Sequence, residues 1–117
     1  MDDCIFCQIV GRQLPTNAVY ENDRVIAFVP IHPVSVGHTL IVPKNHHENL
    51  VDITVESLND VMGVAKLIAR DLLAKNGATG INLLHATGKD AQQSVFHFHL
   101  HVVPRYPNDG LDLWFLR

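Results

Sequence analysis

The sequence predicts an α+β fold in which an antiparallel sheet of about five strands carries one long helix. Three observations predict it. Val55 to Lys75 keeps a helical apolar period over its whole length. Short runs rich in Val, Ile, Leu and Thr lie on both sides of it, joined by short connections. Near the end, His97-Phe98-His99-Leu100-His101-Val102-Val103 alternates histidine with apolar residues, the period of a half-buried strand.

The elements follow in order. Cys4 to Val10 forms a short turn or helix with Ile5, Phe6 and Ile9 as its apolar face. Ala18-Val19-Tyr20 and Arg24 to Val29 flank Glu21-Asn22-Asp23, a hairpin turn. Pro30 to Gly37 holds two prolines and a glycine and reads as loop. His38 to Val42 is a strand. In the helix, Leu58, Val61, Met62, Ala65, Ile68, Ala69, Leu72 and Leu73 recur at spacings of three and four, a stripe for the core. Thr54 is placed to cap its start and Gly77 to stop it. Ile81 to His85 and Phe96 to Val103 are the last strands, with a polar loop from Ala86 to Ser94 between them. The apolar ending, Leu111-Asp112-Leu113-Trp114-Phe115-Leu116, is expected to pack on the domain or on a partner chain.

Composition bounds the function. The 117 residues read as a single domain, 1–117, with 47% hydrophobic and 18% charged residues, which describes a folded globule. A net charge of −3 supplies no basic field for a nucleic-acid backbone. No apolar run approaches the roughly 20 residues of a membrane helix, so no membrane partner is expected. The Met1-Asp2-Asp3 start lacks the basic-then-apolar order of a signal peptide, which makes a cytoplasmic location the default.

In a strand, His97, His99 and His101 share one face while Phe98, Leu100 and Val102 turn to the core. Three imidazoles on one face suit metal binding, anion binding, or nucleophilic and proton-transfer chemistry. The only cysteines, Cys4 and Cys7, are spaced C-x-x-C. A redox C-x-x-C normally follows a strand, and none can precede this one. Zinc is the better reading if two further ligands exist elsewhere, against two small half-buried apolar residues.

The triad run, with Cys4-Ile5-Phe6-Cys7-Gln8-Ile9, Gly37-His38-Thr39-Leu40-Ile41-Val42-Pro43-Lys44 and Gln93-Ser94-Val95 in order, resembles the histidine triad (HIT) family over nearly the whole chain. It is similar to the zinc-containing, bacterial-type branch of these Hint-like and Fhit-like nucleotide hydrolases. The resemblance implies a HIT-like α+β domain that dimerises, joining two sheets into one continuous sheet. It implies a nucleotidyl hydrolase or transferase working at the α-phosphate through a covalent nucleotidyl-histidine. His99 would be the nucleophile, His101 the partner of the phosphate oxygens, and His38 a supporting active-site histidine. Ser94 and the backbone amides from Gln92 through Gln93 to Val95 would donate to phosphate oxygens. Cys4, Cys7, His46 and His97 would complete a closed, structural zinc site, with His47 left as a surface residue.

The chain departs from the family pattern at its sugar-binding positions. Pro30 stands where an acid or amide is common, and nearby His32 is the side chain offered in its place. Ala86 stands where Asn or Gln is common, flanked by His85 and Thr87. Gln92 replaces a common glycine. The reading is a homodimeric, zinc-containing hydrolase of nucleoside phosphoramidates or similar conjugates. A dinucleoside polyphosphate hydrolase is the nearest alternative, and a nucleotide-binding regulatory protein with weak turnover is the rival from another class. A metal-storage protein would read every histidine as a ligand, and the Gln93-Ser94 motif speaks against it.

Overall fold

The computed structural model describes residues 4–115. A short helix α1 (Ile5–Val10) leads into strands β1 (Ala18–Glu21), β2 (Val25–Phe28) and β3 (Thr39–Pro43). The long helix α2 (Val55–Lys75) follows, then β4 (Gly80–Leu84), one 3₁₀ turn (Lys89–Ala91) and β5 (Leu100–Arg105). The five strands form one antiparallel sheet in the order β1-β2-β3-β5-β4. No helix described is long and apolar enough to cross a membrane.

The sheet is buried on both faces at its centre, so β2 and β3 read as continuous apolar runs. Val25, Ala27 and Ile41 point to one core with Val61, Val64, Ala65 and Leu72 of α2. Their neighbours Ile26, Phe28, Leu40 and Val42 point the other way, to Phe6 and Ile9 of α1. On β5 the same alternation sends Leu100 and Val102 to the α2 core and His101 to the α1 face.

α2 has the predicted bounds, with the Thr54 side chain accepting from the Ser57 N–H at its start. Its stripe is narrower than predicted on one side. Met62 and Leu73, on one edge of the stripe, are exposed, and Val64, on the opposite edge, joins the core, because the buried face is rotated toward Val64. The last strand is shifted: β5 starts at Leu100 rather than Phe96 and runs on to Arg105. Pairing explains it, since Ile41 opposite Leu100 and Leu84 opposite His101 are the last pairs. Before them the Phe98 N–H turns to the His47 carbonyl, 2.6 Å away. The facing survives without a ladder: His97 and His99 are buried together, and Phe98 sits in the α2 core.

One further expectation is corrected. His47 is half-buried and bonded to the Ser57 hydroxyl at 3.2 Å, because it holds the loop against the start of α2. In the apolar ending, Trp114 and Phe115 stack on each other and stay exposed, at 56% and 83%. Leu116 lies outside the described residues.

Gly37 shows how tightly the loop before β3 is held. Its φ is +99°, and a Cβ there would lie 2.8 Å from Leu72 Cδ2 and 3.2 Å from Pro104 Cγ. Gly77 also has a positive φ, of +80°, but faces open space. Gly37→Ala should therefore lose about 1 kcal/mol or more beyond the loss in Gly77→Ala, measured by urea denaturation. Equal losses would contradict the packing described.

Candidate functional site

The α1 face of the sheet carries the histidines, and the structure divides them between two centres. His97 turns to the cysteines. His99 and His101 turn to a cleft.

Cys4, Cys7, His46 and His97 form the first centre, with their ligand atoms all within 4.8 Å of one another. Cys4 Sγ lies 3.3 Å from His97 Nδ1, and Cys7 Sγ lies 3.2 Å from His46 Nδ1 and 3.5 Å from His97 Nδ1. The two Nδ1 atoms are 3.2 Å apart. Ligands at zinc bond lengths in a tetrahedron stand roughly 3.3–3.8 Å from each other, so the donor set fits that ion. The chemistry fits as well. His97 Nε2–H donates to the Pro43 carbonyl at 2.8 Å, which leaves the lone pair on Nδ1 facing the cluster. Burial pushes the His97 pKa down to about 4, keeping the ring neutral. Cys4 caps α1, its sulfur accepting from the Cys7 N–H at 3.2 Å. The cluster thus ties α1, the loop after β3 and the approach to β5 at one point. Phe6 on α1 reaches both centres, its ring 5.9 Å from His97 and 5.1 Å from His99.

At the second centre hydrogen bonds fix the ring tautomers. The Val34 N–H donates to His38 Nδ1 at 3.1 Å. A backbone N–H only donates, so the neutral His38 ring carries its proton on Nε2. That proton goes to His101 Nδ1, 3.0 Å away. His101 therefore holds its own proton on Nε2. His99 has the opposite tautomer: its Nδ1–H donates to the His97 carbonyl at 2.9 Å, leaving the lone pair on Nε2. The His99 and His101 rings stand 5.3 Å apart. One lone pair and one N–H are thus set side by side. Burial lowers the pKa of His38 and His99, and takes His101 down to about 4, with the neighbouring imidazoles adding to the shift.

Two cavities meet at these rings. The larger, of about 770 Å³, has Phe6, Ile9, Phe28, Val29, Pro30 and Leu40 in its walls, with Thr16, Asn17 and His32 as polar lining. The smaller, of about 390 Å³, has Val34, Leu84, Ala86, Ala91, Val103 and Leu113 in its walls. Both are lined by His38, Ser94, His99 and His101. Leu113 reaches the smaller cavity because Arg105 holds the turn before it, donating to both Asp109 oxygens at 2.9 and 3.0 Å and to the Leu111 carbonyl.

The loop before the triad is used differently from its sequence reading. The Gln92 and Gln93 N–H groups already bond to the Lys89 and Gly88 carbonyls. The Gln93 side chain is buried and staples the loop, accepting from the Gly88 N–H and donating to the Glu48 and Val95 carbonyls. Of the amides from Gln92 to Val95, those of Ser94 and Val95 carry no such bond, and both residues line the larger cavity. Gln92 has a φ of +73°, the left-handed backbone that favours glycine. His32 is exposed at the rim of the larger cavity. His85 lies on the opposite side, by the smaller cavity, and both its nitrogens are engaged within the protein. His38 as the source of the His101 tautomer was not legible in the sequence, since it depends on where the Val34 N–H points.

An antiparallel sheet with histidines turned from one face to a paired cavity, beside a Cys2His2 cluster, defines a small imidazole-rich cleft on an α+β scaffold. The chain belongs to the HIT (histidine triad) family, whose domain model matches residues 11–108. It is 46% identical over 112 residues to an uncharacterised HIT-like protein of Borreliella burgdorferi, covering 94% of this chain and 81% of that one. A crystal structure from Streptococcus mutans matches with a TM-score of 0.93 and 38% identity over 100% of this chain and 74% of the other. A zinc-bound histidine triad family protein from Mycobacterium smegmatis matches with a TM-score of 0.89 and 38% identity, covering 95% and 81%.

The buried neutral rings make stability depend on pH. His101 titrates near 4 when folded and near 6.5 when unfolded, so between these values the unfolded chain binds more protons. Stability should stay level above about pH 7 and fall as pH drops through the unfolded value. Urea midpoints measured from pH 8 to pH 5 check this, and His101→Gln should give a shallower decline than the wild type.

Proposed function

We propose that the protein is a nucleotide hydrolase or transferase that cleaves nucleoside phosphoramidates or similar conjugates at the α-phosphate, through a nucleotidyl intermediate on His99. The observation that carries the reading is the pair of opposed tautomers, a lone pair on His99 Nε2 beside an N–H on His101 Nε2, where two cavities meet. The nucleoside occupies the larger cavity and the leaving group the smaller one.

The steps balance with these residues. The His99 Nε2 lone pair forms a bond to phosphorus as the bond to the leaving group breaks. The leaving atom takes the bonding pair and a proton from solvent. The His99 ring becomes cationic and keeps its Nδ1–H on the His97 carbonyl, which stabilises that charge. The His101 Nε2–H, the Ser94 hydroxyl and the N–H groups of Ser94 and Val95 hold the phosphoryl oxygens. Water then adds to phosphorus, the P–N bond returns its pair to His99, and a proton leaves to solvent.

The lining of the smaller cavity includes neither Lys nor Arg among the described residues, which favours an amine leaving group over a charged second nucleotide. Pro30 brings no carboxylate or amide side chain to the larger cavity, which supports weaker discrimination between ribose and deoxyribose than an acid or amide at that position would give. Cys4, Cys7, His46 and His97 would hold a zinc ion in a closed structural site. Held there, these four side chains would lock α1 in place as a wall of the larger cavity. Two free cysteines suit a reducing compartment, which supports a cytoplasmic location. β4 is an edge strand with Leu83 exposed, and Trp114 and Phe115 are uncovered, which supports a homodimer that extends the sheet.

His99→Ala should lower turnover of an adenosine phosphoramidate by about 10³-fold or more while nucleotide binding persists. Rapid acid quench of the wild type followed by peptide mass analysis should show the nucleotidyl group on His99. Near-normal turnover in the variant would overturn the reading.

Removing the metal tests the second centre. Structural zinc contributes on the order of 10 kcal/mol of apparent binding energy in small sites. Protein purified without added metal should hold one zinc per chain by elemental analysis, and chelation should lower Tm and expose α1 to protease. An unchanged Tm after complete metal removal would contradict the structural role.

A further inference from the structure

Ala86, just past the end of β4, offers no hydrogen-bonding side chain, but both its sequence neighbours do. His85 stands one residue beyond the last β4–β5 pair, Leu84 with His101. Its Nδ1 lies 3.0 Å from the His99 carbonyl, and its ring stacks on Phe98 with centroids 4.5 Å apart at 27°. A carbonyl only accepts, so Nδ1 carries the proton and Nε2 accepts. Thr87 fills that acceptor with its hydroxyl proton, while its oxygen takes the Leu50 N–H at 3.0 Å. The tautomer of His85 is thereby held from both ends.

The segment that His85 grips is the one that aims the nucleophile. Residues 96–99 precede β5, and the sheet pairings stop at Leu100 and His101. Two other ties on this segment lead to acceptors at or just beyond the end of β3. They are the Phe98 N–H on the His47 carbonyl and His97 Nε2–H on the Pro43 carbonyl. His85 supplies the tie from the β4 side, and it does so at two consecutive residues. It holds the Phe98 ring by stacking and the His99 peptide by a hydrogen bond. Turning the His99 peptide would swing its imidazole off the line to phosphorus, and a displacement of about 1 Å at a reacting atom can cost roughly 10²-fold in rate.

We propose that His85, with Thr87 behind it, is a positioning residue that orients His99 for attack. The inference rests on His99 being the nucleophile. His85 acts through the backbone of residue 99.

Two substitutions separate its contacts. His85→Asn can return an N–H donor to the place of Nδ1 but loses the ring. His85→Phe keeps a ring over Phe98 and has no donor. Each is measured for Tm, for kcat and KM on an adenosine phosphoramidate, and for the His99 imidazole signals in a ¹H–¹⁵N spectrum. His85→Phe should lose about tenfold or more in kcat with little change in KM, and its His99 signals should shift. His85→Asn should stay within about threefold of the wild type with His99 signals in place. Wild-type kcat and unshifted His99 signals in His85→Phe would overturn the proposal. So would equal losses in both variants that track equal drops in Tm, since these mark packing alone. If the wild type turns over no conjugate, the reading of the site fails separately, and the His99 signals of the two variants still decide what His85 does.

Discussion

The hydrogen bond from the Val34 N–H to His38 Nδ1 determines the chemistry of everything beyond it. Because the donor is a backbone amide, its direction cannot reverse. It forces the His38 proton to Nε2, gives His101 Nδ1 a donor, and leaves His101 with its N–H turned to the cavities. The loop that brings Val34 there is braced from several sides. The Ser35 hydroxyl donates to the Pro104 carbonyl at 2.9 Å, and the Thr39 hydroxyl to the Gly37 carbonyl at 2.8 Å. The Tyr106 hydroxyl bonds to the Val36 carbonyl. The end of β5 therefore supports the loop that sets the protonation of a histidine at its start.

The segment from His97 to His99 serves three neighbours in three residues. His97 faces the cysteines, Phe98 the α2 core and His99 the cleft. Strand-like alternation makes this possible, and burial keeps the rings neutral where a charge would spoil either ligation or attack. Phe6 links the two centres, because the cluster fixes α1 and α1 brings the Phe6 ring against both His97 and His99. The Cys/His cluster, the cavity wall and His99 are parts of one packed unit.

Much of this was legible in the sequence, for physical reasons that also mark the limits. The bounds of α2 and its Thr54 cap follow from periodicity and from capping chemistry, both local. The facing of the triad follows from alternation, which holds even though β5 begins only at Leu100. Cys4, Cys7, His46 and His97 converge in space as the family resemblance implied. Local pattern could not give the exposure of Met62 and Leu73, which depends on how the helix is rotated against the sheet. Nor could it give the engagement of Gln93, whose amide meets carbonyls at Glu48 and Val95 only after the loop closes. His85 is the sharpest case: the sequence shows it only as a neighbour of Ala86, and the fold turns it to the backbone carbonyl of His99.

The central claim is that the cleft presents opposed neutral tautomers, and imidazole nitrogens report their protonation directly. Long-range ¹H–¹⁵N correlation at pH 7 on histidine-labelled protein distinguishes a protonated from an unprotonated ring nitrogen. The account predicts that His99 is protonated at Nδ1 only, and that His38 and His101 are both protonated at Nε2 only. A proton on His99 Nε2, or a cationic His101 at that pH, would contradict it.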